Sequence, residues 1–199
     1  MAMDFQSTNV ADARLIHLTQ HSDARGDFVR TWCLAEFESA GITFNPIQAN
    51  MSSTRTRGTI RGMHFQREPR GEAKLVRCSK GRIWDVIADL RPKSSTFGRT
   101  FGVELSCEGA TALYIPAGFA HGFQALTDDV AVDYLMDERY VPELADGFRY
   151  DDPATRIEWP LPARLVSEKD LAWPPLSTRS FWIASNSGPA GQAKPVAPV

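Results

Sequence analysis

The sequence predicts a mainly β fold, either a two-sheet jelly roll or a small barrel. From Ile47 onward, short segments rich in Val, Ile, Tyr and Phe are bounded by Gly, Pro, Asp or Ser, a pattern typical of successive strands. No sustained 3.6-residue periodicity separates these segments, which disfavours a parallel sheet with crossover helices. A jelly roll or barrel accommodates this many antiparallel strands without leaving long edges exposed.

The individual elements follow from local signals along the chain. Residues 35–40 (AEFESA) predict a short helix that ends at Gly41, a residue type that favours helix termination. Strands are predicted at residues 73–79, 82–90, 102–106, 112–115, 119–126 and 130–136. The segment Ser79-Lys80-Gly81 between the first two strands predicts a hairpin turn, so we expect those two strands to pair.

Proline becomes frequent after residue 140, and this change predicts the end of the central sheets. Because proline cannot donate to a strand ladder, we expect residues 142–175 to wrap over the barrel, with Trp159 and Trp173 as apolar anchors. Residues 185–199 are small, polar and rich in Pro and Gly, which predicts a disordered tail. We therefore expect a single domain over residues 1–184.

Composition narrows the class of protein. A chain of 199 residues with 43% hydrophobic and 23% charged residues fits one globular domain, and its formal net charge of -2 argues against a nucleic-acid-binding surface. No apolar run approaches the roughly 20 residues that span a bilayer. The three cysteines lack a C-x-x-C pair and the acidic N-terminus lacks a signal-peptide core, so we expect a cytoplasmic protein without membrane association.

Polar residues inside the predicted strands are candidates for chemistry, because burying them is costly unless they have partners or a function. Lys74 shares a strand face with apolar neighbours, His121 lies between two phenylalanines, and Tyr134 belongs to an otherwise apolar face. Arg61 and His64 lie close together in a short segment that contains Gly58 and Gly62. An interior that takes His, Lys and Tyr predicts a ligand cavity, although each residue alone also fits a structural role.

Several reaction classes lack their sequence signatures. No H-x-H pair occurs, and the single H-x-x-x-H pair, His17 and His21, lies in a segment without a helical pattern, so we expect no metal site. Neither a G-x-G-x-x-G nor a G-x-x-x-x-G-K-[ST] loop occurs, which argues against a dinucleotide cofactor and against phosphoryl transfer. A G-x-S-x-G nucleophile elbow is also absent, which disfavours Ser/His/Asp hydrolysis.

Ten short motifs occur in order along the chain, and together they resemble one known family. They are RGDF (25–28), RGMHFQ (61–66), EAKLVRC (72–78), IWDVIADLRP (83–92), STFG (95–98), YIPAGFAHGF (114–123), YLMDERYVPE (134–143), DDP (151–153), IEWP (157–160) and LVSEKD (165–170). In this order they are similar to the dTDP-4-dehydrorhamnose 3,5-epimerase family. The resemblance implies a cupin-type jelly roll with short peripheral helices, a homodimer without a cofactor, and a nucleotide-linked 4-keto-6-deoxy sugar as substrate in deoxysugar biosynthesis.

The resemblance also implies a role for each catalytic residue. His64 matches the base that removes the proton next to the ketone, and Asp170 matches the carboxylate that orients that histidine. Tyr134 matches the acid on the opposite side of the sugar, and Lys74 matches the lysine beside the C4 oxygen. These residue types suit the reaction, since histidine titrates near neutral pH and a cation stabilises an enolate oxygen.

The substrate-binding residues are implied in the same way. They are Arg25, Phe28, Gln48, Asn50, Arg61, His121 and Tyr140. In this family the R-G-x-F segment, here residues 25–28, comes from the dimer partner, so the resemblance implies a site shared between two copies of the chain.

Two departures from the family pattern bear on the substrate. Arg30 stands where the family commonly has Glu in the nucleotide pocket, and Arg can only donate hydrogen bonds. We therefore hypothesise that Arg30 leaves CDP or another carrier open beside dTDP, unless its side chain simply points to solvent. The segment before the R-G-x-H motif, which includes residues 50–58, is one residue longer than usual, and this loop could affect which carbon is processed.

Three other functions stay open from the sequence. An epimerase that inverts C3 or C5 alone has the same catalytic residues. A non-catalytic jelly roll that binds sugar nucleotides is expected to lack the base, its carboxylate or the acid, and all three are present here. A metal-dependent cupin oxygenase is the third possibility, and metal analysis of the purified protein distinguishes it.

Overall fold

The computed structural model describes residues 2–186, in which thirteen strands form two larger antiparallel sheets and one separate hairpin. The strands are β1 (Asp4–Ser7), β2 (Arg14–His17), β3 (Gln20–Asp23), β4 (Gly26–Val29), β5 (Gln48–Thr54), β6 (Ile60–Gln66), β7 (Lys74–Lys80), β8 (Arg82–Asp89), β9 (Thr100–Ser106), β10 (Thr111–Ile115), β11 (Phe119–Ala125), β12 (Val130–Met136) and β13 (Ala145–Gly147). The helices are α1 (Leu34–Ser39), α2 (Glu168–Leu171) and α3 (Ser180–Asn186), with a 3₁₀ turn at Leu176–Thr178.

The two sheets combine strands that are distant in sequence. One sheet has the order β1-β2-β10-β7-β12-β5, and the other has the order β13-β6-β11-β8-β9. Strands β3 and β4 pair only with each other among the described residues. This arrangement confirms the predicted jelly roll with short peripheral helices.

The main core lies between the two sheets, where alternate residues of each strand meet. Its members include Val76 and Cys78 from β7, Ile83 and Ile87 from β8, Leu105 from β9, Phe119 and Phe123 from β11, and Val130 and Val132 from β12. Because side chains alternate across a strand, this inward row also directs the polar residues with the same parity into the sandwich. Packing of this apolar row therefore orients the polar residues of the same strands toward the space between the two sheets.

The outer face of each sheet is covered by a different part of the chain. Phe37 of α1 and Phe44 pack on Tyr114 of the six-stranded sheet, with ring centroids 6.0 and 5.5 Å from the tyrosine ring. On the five-stranded sheet, the C-terminal part of the chain contributes the fully buried side chains of Phe148 and Leu176. Strand β11 is consequently buried at all of its positions.

The predicted hairpin between the strands around residues 73–79 and 82–90 is wrong. Gly81 does reverse the chain, with a φ of +73°. However, β7 pairs with β10 and β12 in one sheet, whereas β8 pairs with β9 and β11 in the other. A turn signal specifies a change of direction, while the pairing partner depends on which edges the rest of the chain occupies.

The predicted helix and the proline-rich region agree with the structure. Helix α1 lies within one residue of its prediction, and Gly41 follows it with a φ of +73°. In the proline-rich region, only the three-residue edge strand β13 joins a sheet, and Trp159 packs against the outer face. Trp173 differs from its prediction, because it lines the cavity and is not part of this outer cluster. The predicted tail from residue 185 overlaps the end of α3, and its residues 187–199 lie outside the described part of the chain. No helix within residues 2–186 is long and apolar enough to cross a membrane.

Candidate active site

A cavity of about 670 Å³ is lined by residues from both sheets and from the segment around α2. Among the residues predicted from the sequence, the lining includes His64, Tyr134, Asp170, Lys74, Asn50, Arg61, His121 and Tyr140. The tertiary fold therefore brings eight predicted residues from β5, β6, β7, β11, β12, α2 and a loop after β12 to one place.

His64 and Asp170 form a hydrogen-bonded pair, in which His64 Nε2 lies 2.7 Å from Asp170 Oδ1. In β6 the neighbouring side chains of Met63 and Phe65 pack into the outer core, so alternation turns His64 toward the cavity. The His64 side chain is 46% exposed, whereas that of Asp170 is 6% exposed. A buried carboxylate thus holds an imidazole that remains accessible to a ligand.

The Asp170 carboxylate has additional partners that fix it in place. Its Oδ2 accepts the backbone N–H of Gly62 at 3.2 Å, and Ser167 caps α2 by accepting the backbone N–H of Asp170 at 3.1 Å. Gly62 has a φ of +126°, and a Cβ there would lie 2.5 Å from the Cα of Gly122, so only glycine fits. Burial opposes ionisation, but the bonds from His64, Gly62 and Ser167 outweigh it and lower the pKa of Asp170.

Tyr134 projects from β12 in the opposite sheet. Its hydroxyl lies 3.1 Å from Ser52 Oγ, and its ring contacts the His121 ring at a centroid distance of 5.9 Å in a T-shaped arrangement. Burial raises the pKa of Tyr134 well above its ordinary value, and the hydrogen bond with Ser52 only partly offsets this. The phenol is therefore held in its protonated form.

Lys74 is paired with a carboxylate inside the cavity. Its Nζ lies 2.6 Å from Glu72 Oε1, and the two side chains are 10% and 11% exposed. A buried cation is tolerated when an opposite charge accompanies it, and Glu72 supplies that charge here. Sequence reasoning missed Glu72, because it precedes the strand and belongs to no alternating face.

His121 is backed by a fully buried carboxylate that sequence reasoning also missed. His121 Nε2 lies 2.9 Å from Asp85 Oδ2, and Asp85 is inaccessible to solvent. Burial raises the pKa of Asp85, and the charge and hydrogen bond of His121 offset this only in part. The signal for Asp85 was present in the sequence, since it lies between Ile83 and Ile87 on an inward face of β8.

The remaining predicted binding residues occupy different environments. Arg61 donates from Nε to Thr54 Oγ1 at 3.0 Å and from Nη2 to the Ser53 carbonyl at 2.9 Å. Gln48 accepts the backbone N–H of Tyr140 through its Oε1 at 3.2 Å, and it is outside the cavity lining of the described chain.

Arg25 and Phe28 are also outside the cavity lining formed by residues 2–186. They lie on the hairpin of β3 and β4, where Phe28 is 61% exposed and Arg25 pairs with Asp23. Within a single chain, the structure therefore separates these two residues from the other predicted site residues.

The structure shows the surroundings of the two regions where the sequence was expected to depart from the family pattern. Arg30 Nη1 binds Glu36 Oε1 at 2.9 Å, so its guanidinium has a partner within its own chain. Strand β5 pairs with β12 without interruption from Gln48 to Thr54. The part of β5 that lines the cavity, around Asn50, is therefore in regular register with β12.

The cavity contains the groups that a proton transfer requires. It combines an accessible imidazole with a buried carboxylate behind it, a protonated phenol from the opposite sheet, and an ammonium group. Within residues 2–186, no three His, Cys, Asp or Glu side chains are grouped so that they could hold a metal ion. Fold and site together define a cupin-type jelly roll that carries acid–base residues in its cavity.

Comparisons with known proteins agree with this class. A family model described as dTDP-4-dehydrorhamnose 3,5-epimerase matches residues 7–178. The dTDP-4-dehydrorhamnose 3,5-epimerase of Methanothermobacter thermautotrophicus is 43% identical over 182 residues, which are 90% of this chain and 97% of that protein. The dTDP-4-dehydrorhamnose 3-epimerase of Streptomyces niveus is 37% identical over 76% of this chain and 73% of its own length.

One solved structure is similar to this chain over nearly the whole length of the solved chain. The crystal structure of dTDP-4-dehydrorhamnose 3,5-epimerase from Bacillus anthracis, with TDP and PPi bound, has a TM-score of 0.85 and 37% sequence identity, and the match covers 87% of this chain and 99% of that one. The chain therefore belongs to the dTDP-4-dehydrorhamnose 3,5-epimerase family, and it is an isomerase of the epimerase class. The family resemblance of the ten motifs is confirmed.

Proposed function

We propose that the protein inverts C3 and C5 of a dTDP-linked 4-keto-6-deoxyhexose, the reaction from dTDP-4-dehydro-6-deoxyglucose to dTDP-4-dehydrorhamnose. The observation that carries this proposal is the pairing of accessible His64 with buried Asp170 in a cavity that Tyr134 enters from the opposite sheet. The membership of the family and the names of its relatives support the substrate class. The pathway that follows is deoxysugar biosynthesis.

The first step assigned to the site is removal of a proton next to the ketone. His64 Nε2 donates to Asp170 in the tautomer that this hydrogen bond favours, so Nδ1 carries the lone pair that accepts the substrate proton. The electrons of the C–H bond move into an enolate whose charge lies on the C4 oxygen. Lys74 then stabilises that oxygen, because its ammonium has two N–H groups beyond the one directed at Glu72.

The second step returns a proton from the opposite face of the sugar. His64 belongs to the five-stranded sheet and Tyr134 to the six-stranded sheet, so the two groups approach a sugar between the sheets from different sides. Because burial raises its pKa, Tyr134 is protonated before it donates, and the enolate is a strong enough base to take that proton. Loss of a proton on one face and gain on the other inverts the carbon.

The proposed binding of the nucleotide depends on cationic residues in the cavity and on residues from a second copy of the chain. Arg61 and Lys169 line the cavity with cationic groups that suit a diphosphate. We place Arg25 and Phe28 in the site of a homodimer partner, and the 61% exposure of Phe28 on a hairpin that pairs only with itself supports this. A cytoplasmic location stays part of the proposal, supported by three cysteines that are free thiols.

The test is proton NMR of dTDP- and CDP-linked 4-keto-6-deoxyglucose with the protein in deuterated water. We expect deuterium to enter C3 and C5 of the dTDP sugar, and much less to enter the CDP sugar. The Tyr134→Phe variant keeps the base and should still exchange protons while inversion slows by about 100-fold, since only the acid is lost. Absence of exchange with every 4-keto sugar tested contradicts the epimerase and leaves a binding function.

A single-carbon epimerase is the second candidate, favoured by the similarity to the Streptomyces niveus 3-epimerase. The same NMR experiment separates the two functions, because a 3-epimerase introduces deuterium at C3 alone. Gel filtration or sedimentation measures the dimer, and an Arg25→Ala variant that binds dTDP as tightly as the unmodified protein would contradict the shared site.

A further inference from the structure

The described chain continues past the family-matched region, which ends at residue 178, and this continuation binds an edge of the active site. Arg179, the first residue after the match, donates from Nη2 to Asp146 Oδ1 at 2.6 Å and to the Gly147 carbonyl at 2.7 Å, while Nη1 lies 3.2 Å from Asp146 Oδ2. Residues 179–186, here named the C-terminal segment, then form α3 behind the five-stranded sheet.

The strand that Arg179 binds is paired directly with the strand that carries His64. In the pairing of β13 with β6, Gly147 lies opposite His64 and Asp146 lies opposite Phe65. The ladder continues with two hydrogen bonds of 3.1 Å between the backbones of Met63 and Phe148. The backbone at His64 is therefore hydrogen-bonded to the strand that Arg179 holds, and we expect a displacement of β13 to shift it.

Strand β13 depends on contacts outside this ladder to hold it in place, and Arg67 and Trp173 already provide some of them. It has three residues and forms the edge of its sheet, and short edge strands make few hydrogen bonds of their own. Arg179 adds two bonds to the Asp146 carboxylate and one to the strand backbone. The guanidinium thus ties both the side chain and the main chain of this edge strand.

The C-terminal segment also packs against the back of the catalytic strand. The Phe181 ring contacts the Phe65 ring at a centroid distance of 6.2 Å, and Phe65 is the residue next to His64. The Trp182 ring packs against the Phe97 ring at a centroid distance of 5.0 Å in a tilted arrangement, which anchors α3 to the loop before β9. Two aromatic contacts therefore fix the position from which Arg179 reaches β13.

Electrostatics gives Arg179 a second effect on the same edge. Asp146 lines the cavity, and its side chain is 9% exposed, so an unpaired carboxylate here would add negative charge to the wall of a cavity that is proposed to bind an anionic nucleotide sugar. The nearest alternative cation is Arg67, whose Nε lies 3.5 Å from Asp146 Oδ2 and whose Nη2 donates to the Glu143 carbonyl. Arg179 provides the closest and most complete neutralisation.

We propose that Arg179 is a positioning residue for the epimerisation, which holds β13 and through it the His64 imidazole in the geometry for proton removal. This inference rests on the proposed function, because one of its tests measures the epimerase activity. It assigns a task to a part of the chain that lies beyond the match to the family model.

The experiment compares Arg179→Gln with Arg179→Lys and with the control Arg156→Gln, all in the full-length chain. Arg156 is an exposed residue of the same type for which no side-chain hydrogen bond is found within residues 2–186. For Arg179→Gln we expect kcat for deuterium entry to fall about tenfold with KM changed less than about twofold, because misplacing a base impairs the transition state more than substrate binding. Arg179→Lys keeps the charge and should recover part of kcat, and Arg156→Gln should resemble the unmodified protein.

A readout independent of activity separates positioning from a general loss of structure. In Arg179→Gln, backbone hydrogen exchange of residues 145–148 should rise about tenfold, while the Tm stays within about 4 °C of the unmodified protein. The 15N signals of the His64 imidazole should also shift. If exchange at residues 145–148 and the His64 signals match those of Arg156→Gln, the proposal is overturned.

Failure of the proposed function is distinguishable from failure of this inference. If the unmodified protein exchanges no substrate protons, the epimerase proposal fails, whereas hydrogen exchange at β13 and the His64 signals still decide the role of Arg179. If the unmodified protein is active and Arg179→Gln has an unchanged kcat, the positioning role is wrong and the function stands.

Discussion

Two histidine–aspartate pairs contribute their histidines to the cavity lining, and the pairs differ in almost every property except their hydrogen-bond length. His64 and Asp170 are joined at 2.7 Å, and His121 and Asp85 at 2.9 Å. The His64 side chain is 46% exposed and that of His121 only 6% exposed. The first pair joins a strand to a distant C-terminal helix, whereas the second joins two neighbouring strands of one sheet.

The two carboxylates have opposite electrostatic environments. Asp170 receives bonds from His64 and from the backbone of Gly62, and together with the Ser167 interaction these lower its pKa despite burial. Asp85 has one bonded oxygen, the other oxygen has no partner among residues 2–186, and burial raises its pKa. Asp170 is therefore suited to remain charged beside the imidazolium of the proposed mechanism, while Asp85 holds His121, whose ring contacts Tyr134.

The largest expected effect is the loss of activity when His64, the exposed histidine of the first pair, is replaced. His64→Asn removes the proposed base, so deuterium exchange at C3 and C5 should fall by at least about 1000-fold. The matched control is His17→Asn, an exposed residue on β2. The exchange rates are measured by NMR on samples quenched at successive times in deuterated water. A rate for His64→Asn within tenfold of that of the unmodified protein would falsify the assignment of His64 as the base.

The second prediction concerns Asp170, the carboxylate behind the proposed base. Asp170→Asn retains the shape but loses the charge that favours the His64 tautomer and the imidazolium, so kcat should fall about 100-fold. The corresponding change in the other pair, Asp85→Asn, should lower kcat less than about tenfold, because Asp85 touches neither the base nor the proton that moves. Equal losses from both variants would show that the two pairs are functionally equivalent.

The third prediction compares the two pairs by stability, and here the buried pair of His121 and Asp85 is expected to matter more than the pair of His64 and Asp170. His121→Asn leaves Asp85 buried without its partner, so the free energy of unfolding should decrease by about 3 kcal/mol. His64→Asn should decrease it by less than about 1 kcal/mol, since His64 is half exposed and solvent screens its loss. Urea unfolding monitored by tryptophan fluorescence measures both values, and a larger loss for His64→Asn would contradict the structural role of the buried pair.

The smallest expected effect is a pair of opposite pH dependences. The pKa of Asp170 is lowered on folding, so its contribution to stability is present above its unfolded pKa of about 3.9 and disappears as pH falls through the lower folded value. The pKa of Asp85 is raised, so the folded state keeps a proton that the unfolded chain has lost, and stability decreases as pH rises above about 4.

Unfolding measured between pH 3 and 7 checks these signs against variants. Relative to Asp170→Asn, the unmodified protein should gain stability as pH rises from 3. Relative to Asp85→Asn, it should lose stability as pH rises from about 4. Slopes of the same sign for both comparisons would mean that the environments of the two carboxylates are alike.

Much of this arrangement could be predicted from local sequence patterns. Short apolar segments between turn residues located β7 to β12 within about one or two residues, as expected for side-chain alternation. The same alternation indicated that Lys74, His121 and Tyr134 face inward, and all three line the cavity. Asp85 could have been found by the same rule, because it shares the inward face of β8 with Ile83 and Ile87.

The sequence by itself determined the positions of β7 to β12, the family and the residue types available for proton transfer, since these depend on periodicity and on ordered motifs. Only the tertiary structure decided that β7 and β8 enter different sheets, that Glu72 accompanies Lys74, and that Arg179 binds the edge next to His64. The physical reason is that alternation is a local property of a strand, whereas pairing partners and ion pairs depend on where distant segments pack.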